Sequence, residues 1–178
     1  MSNPLYSAID AHFLSADALR RAALLARHGR NAAEGWFKAE MIALLDSLAK
    51  GGTIDDWRSD YPIIEEGKQR CDFRIVIGGK PRWLEVKTLI DPARQASDMG
   101  FMSKSAGFAD DLVKLMRAPD PDRAVLLFVL PRPSPAQWAD LLATYARRIA
   151  PLAFDEQSRI EDYPEALYVC KLALKEMF

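Results

Sequence analysis

The stretch 71–87, CDFRIVIGGKPRWLEVK, puts Asp72, Glu85 and Lys87 among apolar residues that read as two strands around Gly78-Gly79. A two-residue Gly-Gly turn makes these strands a hairpin and sets Asp72 opposite Glu85. Side chains alternate along a strand, so Asp72, Arg74, Trp83, Glu85 and Lys87 share one face. Phe73, Ile75, Ile77, Leu84 and Val86 form the apolar face that packs into the core. Two facing carboxylates repel unless a cation sits between them. A divalent metal supplies that cation, and oxygen ligands are those magnesium prefers. With a four-residue GGKP turn instead, Asp72 faces Lys87 and Glu85 becomes a diagonal neighbour. The alternative account makes both acids solvated residues on the polar face of a half-exposed hairpin, and leaves Lys87 in a plain salt bridge.

A third carboxylate lies in WFKAEMIALL. On a helical wheel Glu40 sits at the shoulder of the apolar stripe, one turn from Trp36 and from Leu44. It either snorkels out at the edge of that stripe or serves as a metal or water ligand. Glu34, two turns earlier on another face, is a weaker candidate.

The elements that must position these groups follow from periodicity and punctuation. Residues 4–30 read as helical, with Ser15 as an N-cap, and 33–49 form the next helix, closed by Gly51-Gly52. Strands are expected at 61–65, 72–77 and 82–89. Residues 90–103 read as loop and 104–117 as helix. The apolar run RAVLLFVL, 123–130, suggests a strand buried on both faces. Ser134-Pro135 opens a helix carrying Trp138, Leu141, Leu142, Tyr145 and Ile149 at helical spacing. A strand at 166–174 follows. The order implies an antiparallel meander followed by helical crossovers: an α/β fold with a mixed central sheet flanked by helices.

The chain has 178 residues, 49% hydrophobic and 28% charged, with a formal net charge of −1. That suits one domain over 1–178, with 1–30 a helical extension and 31–178 the core. There is no global basic field, so nucleic-acid contact must use a local patch. No apolar run approaches the roughly 18 residues a membrane helix needs, and MSNPLYSAIDAHF lacks the pattern of a signal peptide. Cys71 and Cys170 fall in expected strands and read as buried free thiols. A cytoplasmic protein is expected. His12 and His28 have no partner at ligand spacing and receive no metal role.

Taken together, a helical Glu in WFKAE, an acid opening a strand in RCDF, and acid-x-Lys in LEVK resemble the PD-(D/E)XK nuclease superfamily. KSAGFADDLVKL and RAVLLFVL follow in the order expected for its restriction-endonuclease-like αβββαβ core. The resemblance covers about residues 33–130, with Cys71 where the name-giving Pro would stand. It implies that Asp72, Glu85 and the carbonyl of Val86 bind Mg2+ or Mn2+. Glu40 would hold a metal-bound water or help a second metal, and Lys87 would orient the attacking water. The implied substrate is DNA.

Lys80, Arg82, Arg94, Lys104, Lys114 and Arg117 cluster in sequence around this motif. Any of them could contact phosphates or be a solvated charge, and Lys104 at the start of the following helix is the best placed. Arg74 opposite Trp83 reads as a cation–π pair, with base stacking by this pair the sharper alternative. The Arg-rich helix ADALRRAALLARHGR either docks on DNA, forms a homodimer face or stays solvated. The competing function is a non-catalytic nucleic-acid-binding or assembly subunit on the same scaffold. A small-molecule enzyme with a carboxylate–metal site ranks lower, because no nucleotide-cradling Gly loop is present.

Overall fold

The computed structural model describes residues 4–28, 33–63, 68–90, 108–120 and 122–130, isolated positions at 134, 136 and 140, and the strands 154–158 and 168–174. The N-terminal helical region divides into α1 (Pro4–Phe13) and α2 (Ala16–His28). Ser15 punctuates it: its Oγ accepts from the Ala18 N–H at 3.3 Å, capping α2 as expected. α3 (Ala33–Lys50) ends in a Schellman arrangement. Gly52 takes φ +71°, and the N–H groups of Gly52 and Thr53 donate to Ala49 O and Leu48 O.

The sheet has six strands in the order β1-β2-β3-β4-β6-β5. They are β1 (Asp56–Pro62), β2 (Arg70–Ile77), β3 (Lys80–Ile90), β4 (Arg123–Leu130), β5 (Phe154–Ser158) and β6 (Tyr168–Leu174). β3 and β4 run parallel, joined through α4 (Phe108–Met116); every other pair is antiparallel. The chain is therefore a mixed α/β protein. The first strand lies at 56–62 rather than 61–65. It is an edge strand with mostly exposed side chains, so the hydrophobic alternation that marks a half-buried strand is missing there. β5 was not expected for a similar reason: FDEQS is polar, and it occupies the other edge. The helix expected from 134 has helical backbone at Ala136 and Asp140; the rest of that segment, residues 90–103 beyond Ile90, and 104–107 lie outside the described residues.

One face of the sheet presents Phe73, Ile75, Leu84, Val86, Ala124, Leu126 and Phe128 to α1, α2 and α3. The Phe37 and Phe128 rings stack at 4.0 Å, and Phe13 meets Phe128 edge-on at 4.6 Å. Leu5, Ile9 and Phe13 are fully buried here, so α1 shares one core with the sheet. α4 packs on β3 and β4, with Leu115 buried. Among the described residues no helix is long and apolar enough to cross a membrane.

The hairpin has the two-residue turn. Phe73 pairs with Leu84, Arg74 with Trp83 and Ile75 with Arg82, and both turn glycines have positive φ, +57° and +73°. That is the type I′ geometry whose twist matches the flanking strands. The Gly79 N–H also donates to Asp55 Oδ2 at 2.7 Å. A Cβ at either glycine would meet nothing within 4 Å, so substitution there tests the backbone conformation alone. Gly79→Ala should cost about 1 to 2 kcal/mol in urea unfolding; an unchanged midpoint would contradict this turn.

Candidate functional site

β2 and β3 pair only as far as Phe73–Leu84, whereas β3 stays paired to β4 through Ile90. The two strands of the hairpin therefore part just where Asp72 and Glu85 lie. Side chains take over from the backbone ladder at this fork. Asp72 Oδ2 accepts the Val86 N–H at 2.8 Å, and the Asp72 N–H approaches Glu85 Oε2 at 3.3 Å. Cys71, one residue earlier, is a buried free thiol as expected, with its Sγ 3.1 Å from Leu84 O. Burial and the neighbouring Glu85 push its pKa up, so it is inert.

Side chains from both flanking layers converge on the fork. From α3, Lys38 Nζ lies 2.8 Å from Asp72 Oδ1 and 2.9 Å from Glu34 Oε1. From α4, Lys114 Nζ lies 2.7 Å from Glu85 Oε1 and 2.9 Å from Asp111 Oδ1. Lys87 closes the circuit, 2.8 Å from Asp111 Oδ2 and 3.7 Å from Glu34 Oε2. The Lys87–Asp111 contact has ion-pair distance, but Asp111 Oδ2 is buried without a well-directed hydrogen bond. Four carboxylates against three ammonium groups leave the ring one formal negative charge.

The electrostatics follow from burial. Glu85 is only 2% exposed. Loss of water raises its pKa, the negative Asp72 raises it further, and Lys114 opposes; the balance is about 7. For Lys87 and Lys114 burial alone would lower the pKa. Contacts with Asp111 for Lys87, and with Glu85 and Asp111 for Lys114, outweigh it and raise both. The same balance, set by Asp72 and Glu34, raises Lys38. All three lysines are thus held as cations. Lys87 can act by positive charge and hydrogen-bond donation, and is not poised as a base.

Asp72, Glu85, Val86 and Lys87 stand together, and Glu34 joins them. Glu40 points elsewhere: its Oε2 is 2.9 Å from His12 Nε2 and its Oε1 is 3.7 Å from Arg21. Glu40 is two residues past Lys38, about 200° around the helix, which turns it toward α1 and α2. Arg74 lies over the Tyr61 ring at 5.3 Å rather than on Trp83. Trp83 is buried, meets Tyr61 edge-on, and donates its indole N–H to Asp120 Oδ2 at 3.0 Å, so its face is not open to a base. Asp60, at φ +48°, precedes Tyr61, and this left-handed residue breaks the alternation that would have put Tyr61 on the core face. Arg82 Nε lies 3.2 Å from Asp122 Oδ2 without a well-directed hydrogen bond, and its guanidinium also interacts with Tyr6 of α1. Arg117 donates to Gln69. Lys104 and Arg94 lie outside the described residues.

Sequence spacing does not single out Lys38 or Asp111, and it marks Lys114 only as a candidate phosphate contact. Asp111 carried a usable signal, since it is one turn before Leu115, the buried position of α4. Among the described residues no group of three or more His, Cys, Asp or Glu side chains is disposed to hold a metal ion. No family model, curated protein or solved structure matches the chain.

The Glu85 carboxyl has an ordinary value of 4.5 and a folded value of about 7. Between them the native chain holds a proton that the unfolded chain has released. Stability therefore falls as pH rises through that window and levels off above it. In melts with chelator from about pH 5 to about pH 8, Glu85→Gln should flatten this decline. An identical slope in the variant would refute the assignment.

Proposed function

We propose that this chain is a metal-dependent nuclease of restriction-endonuclease-like fold that hydrolyses DNA phosphodiester bonds. The observation that carries the reading is the convergence of Asp72, Glu85 and Lys87 where β2 parts from β3. These are the residues of the RCDF and LEVK motifs. The order α3, β1, β2, β3, α4, β4, with β3 and β4 parallel, supports the same reading, since it is the αβββαβ order of that superfamily. Fold alone would not carry a function; the placement of the acids and the lysine on it does.

The donor chemistry fits magnesium or manganese, which take carboxylate oxygens. Asp72 and Glu85 would hold the ion, and Val86, next in chain, would offer its carbonyl. When bound, such an ion supplies a nucleophilic water at neutral pH and neutralises charge on the phosphodiester. Asp72 is fixed for this role by the Val86 N–H, and Glu85 by Lys114. Lys87, held cationic beside Asp111, would stabilise charge developing on a phosphate oxygen and orient the attacking water. Glu34 is better placed than Glu40 to accept a hydrogen bond from that water, because Glu34 approaches Lys87 while Glu40 faces His12.

A non-catalytic DNA-binding or assembly role is the second reading. Two lysines, Lys38 and Lys114, already contact this acid pair, and the four oxygens of Asp72 and Glu85 each have a donor nearby.

Manganese or magnesium should raise the melting temperature of the chain by mass action, and Asp72→Asn should remove that shift. Cleavage of supercoiled, linear, branched or single-stranded DNA should require the ion, and should fall by about a hundredfold or more in Lys87→Ala. A metal-induced shift with no cleavage of any of these would favour the second reading. No shift and no cleavage would overturn the nuclease.

A further inference from the structure

Lys38 and Lys114 occupy matching positions on the two sides of the fork. Each ammonium bridges one carboxylate from the sheet and one from its own helix. Lys38 joins Asp72 to Glu34, four residues before it. Lys114 joins Glu85 to Asp111, three residues before it. Each therefore has an acid partner on its own helix that it keeps if the sheet carboxylate is taken away. Lys38 is the more open of the two, its side chain 31% exposed against 15% for Lys114.

The sheet carboxylates have little room for another positive charge while these contacts last. A dication on Asp72 and Glu85 would stand a few ångströms from two ammonium groups in a partly dehydrated site, where like charges repel strongly. It would also draw on the oxygens that Lys38 and Lys114 now use. The mobile partner in that conflict is the lysine, with its four-carbon flexible stem, rather than a carboxylate fixed by the backbone.

Resting on the nuclease reading, we infer that Lys38 and Lys114 are exchangeable internal counter-ions, released from Asp72 and Glu85 by a divalent cation and so freed to contact substrate phosphate. Ion binding and DNA binding are then coupled through these side chains, and the coupling is reciprocal. The ring explains how an acid pair with one member almost fully buried is tolerated. The exchange converts the groups that tolerate it into phosphate contacts when the ion arrives.

The test is calorimetric titration of manganese alone into the full chain, its Lys38→Met and its Lys114→Met variants. Removing a competing ammonium should tighten manganese binding by about tenfold in each variant. Should Lys114→Met fail to fold with Glu85 left unpaired, Lys38→Met and Lys38→Gln carry the test, because position 38 is part-exposed and Asp72 keeps its Val86 bond. Binding by the variants but not by the wild type would also support the inference. Equal or weaker binding by folded variants, with the wild type binding, would overturn the exchange and leave the metal site standing. No binding by any protein would overturn both.

A second readout is the salt dependence of duplex DNA binding with calcium in place of chelator. The log–log slope should steepen by about 2 in the wild type and by about 1 in each single variant, one released lysine each. An equal steepening in all three would overturn the release.

Discussion

The repulsion between Asp72 and Glu85 organises one end of this sheet. They lie side by side just beyond the last hairpin pair, Phe73–Leu84, and Glu85 is almost wholly out of water. Isolated, such a pair would not both stay ionised. The protein answers with Lys38 from α3 on Asp72 and Lys114 from α4 on Glu85, and Lys87 from β3 pairs with the helix acids Asp111 and Glu34. The answer is incomplete, because Asp111 and Glu34, which hold the lysines in place, bring their own negative charge.

That arrangement needs a break in the sheet. A continuous β2–β3 ladder would occupy the Val86 N–H with backbone, where Asp72 now accepts it. Parting the strands after Phe73–Leu84 gives the Val86 N–H to Asp72 instead. β3 tolerates losing β2 because it remains paired to β4 from Trp83 to Ile90. The neighbouring apolar layer, built on Phe13, Phe37 and Phe128, fixes α3 against the sheet. Lys38 and Glu34 are thereby carried to the fork. Buried ion networks of this kind are poor sources of net stability, since desolvation consumes most of the Coulombic gain. The stacked aromatic core is the better candidate for that. The ring instead specifies an arrangement.

Much of this was legible in the sequence. Gly78-Gly79 marks a two-residue turn, and from that turn alone comes the register that aligns Arg74 with Trp83 and brings Asp72 and Glu85 to the same end of the hairpin. Ser15 and Gly51-Gly52 marked helix ends that the structure keeps. RAVLLFVL read as a strand covered on both faces, and 123–129 are buried throughout. The edge strands were less legible, since β1 and β5 lack the alternation that burial imposes.

Chain chemistry and short-range periodicity thus settled which residues share a strand face and which turn joins them, because these depend on neighbours a few positions apart. They did not settle which charged groups become partners across elements. Helix spacing alone pairs Glu34 with Lys38, four residues on; that Glu34 also approaches Lys87 while Glu40 meets His12 is decided by the packing of α1, α2 and the sheet around α3. Likewise, nothing local to Asp111 or Lys114 points to Glu85 and Lys87. Those contacts exist because α4 crosses between two parallel strands and lies along them, and such long-range closeness is a property of the folded chain.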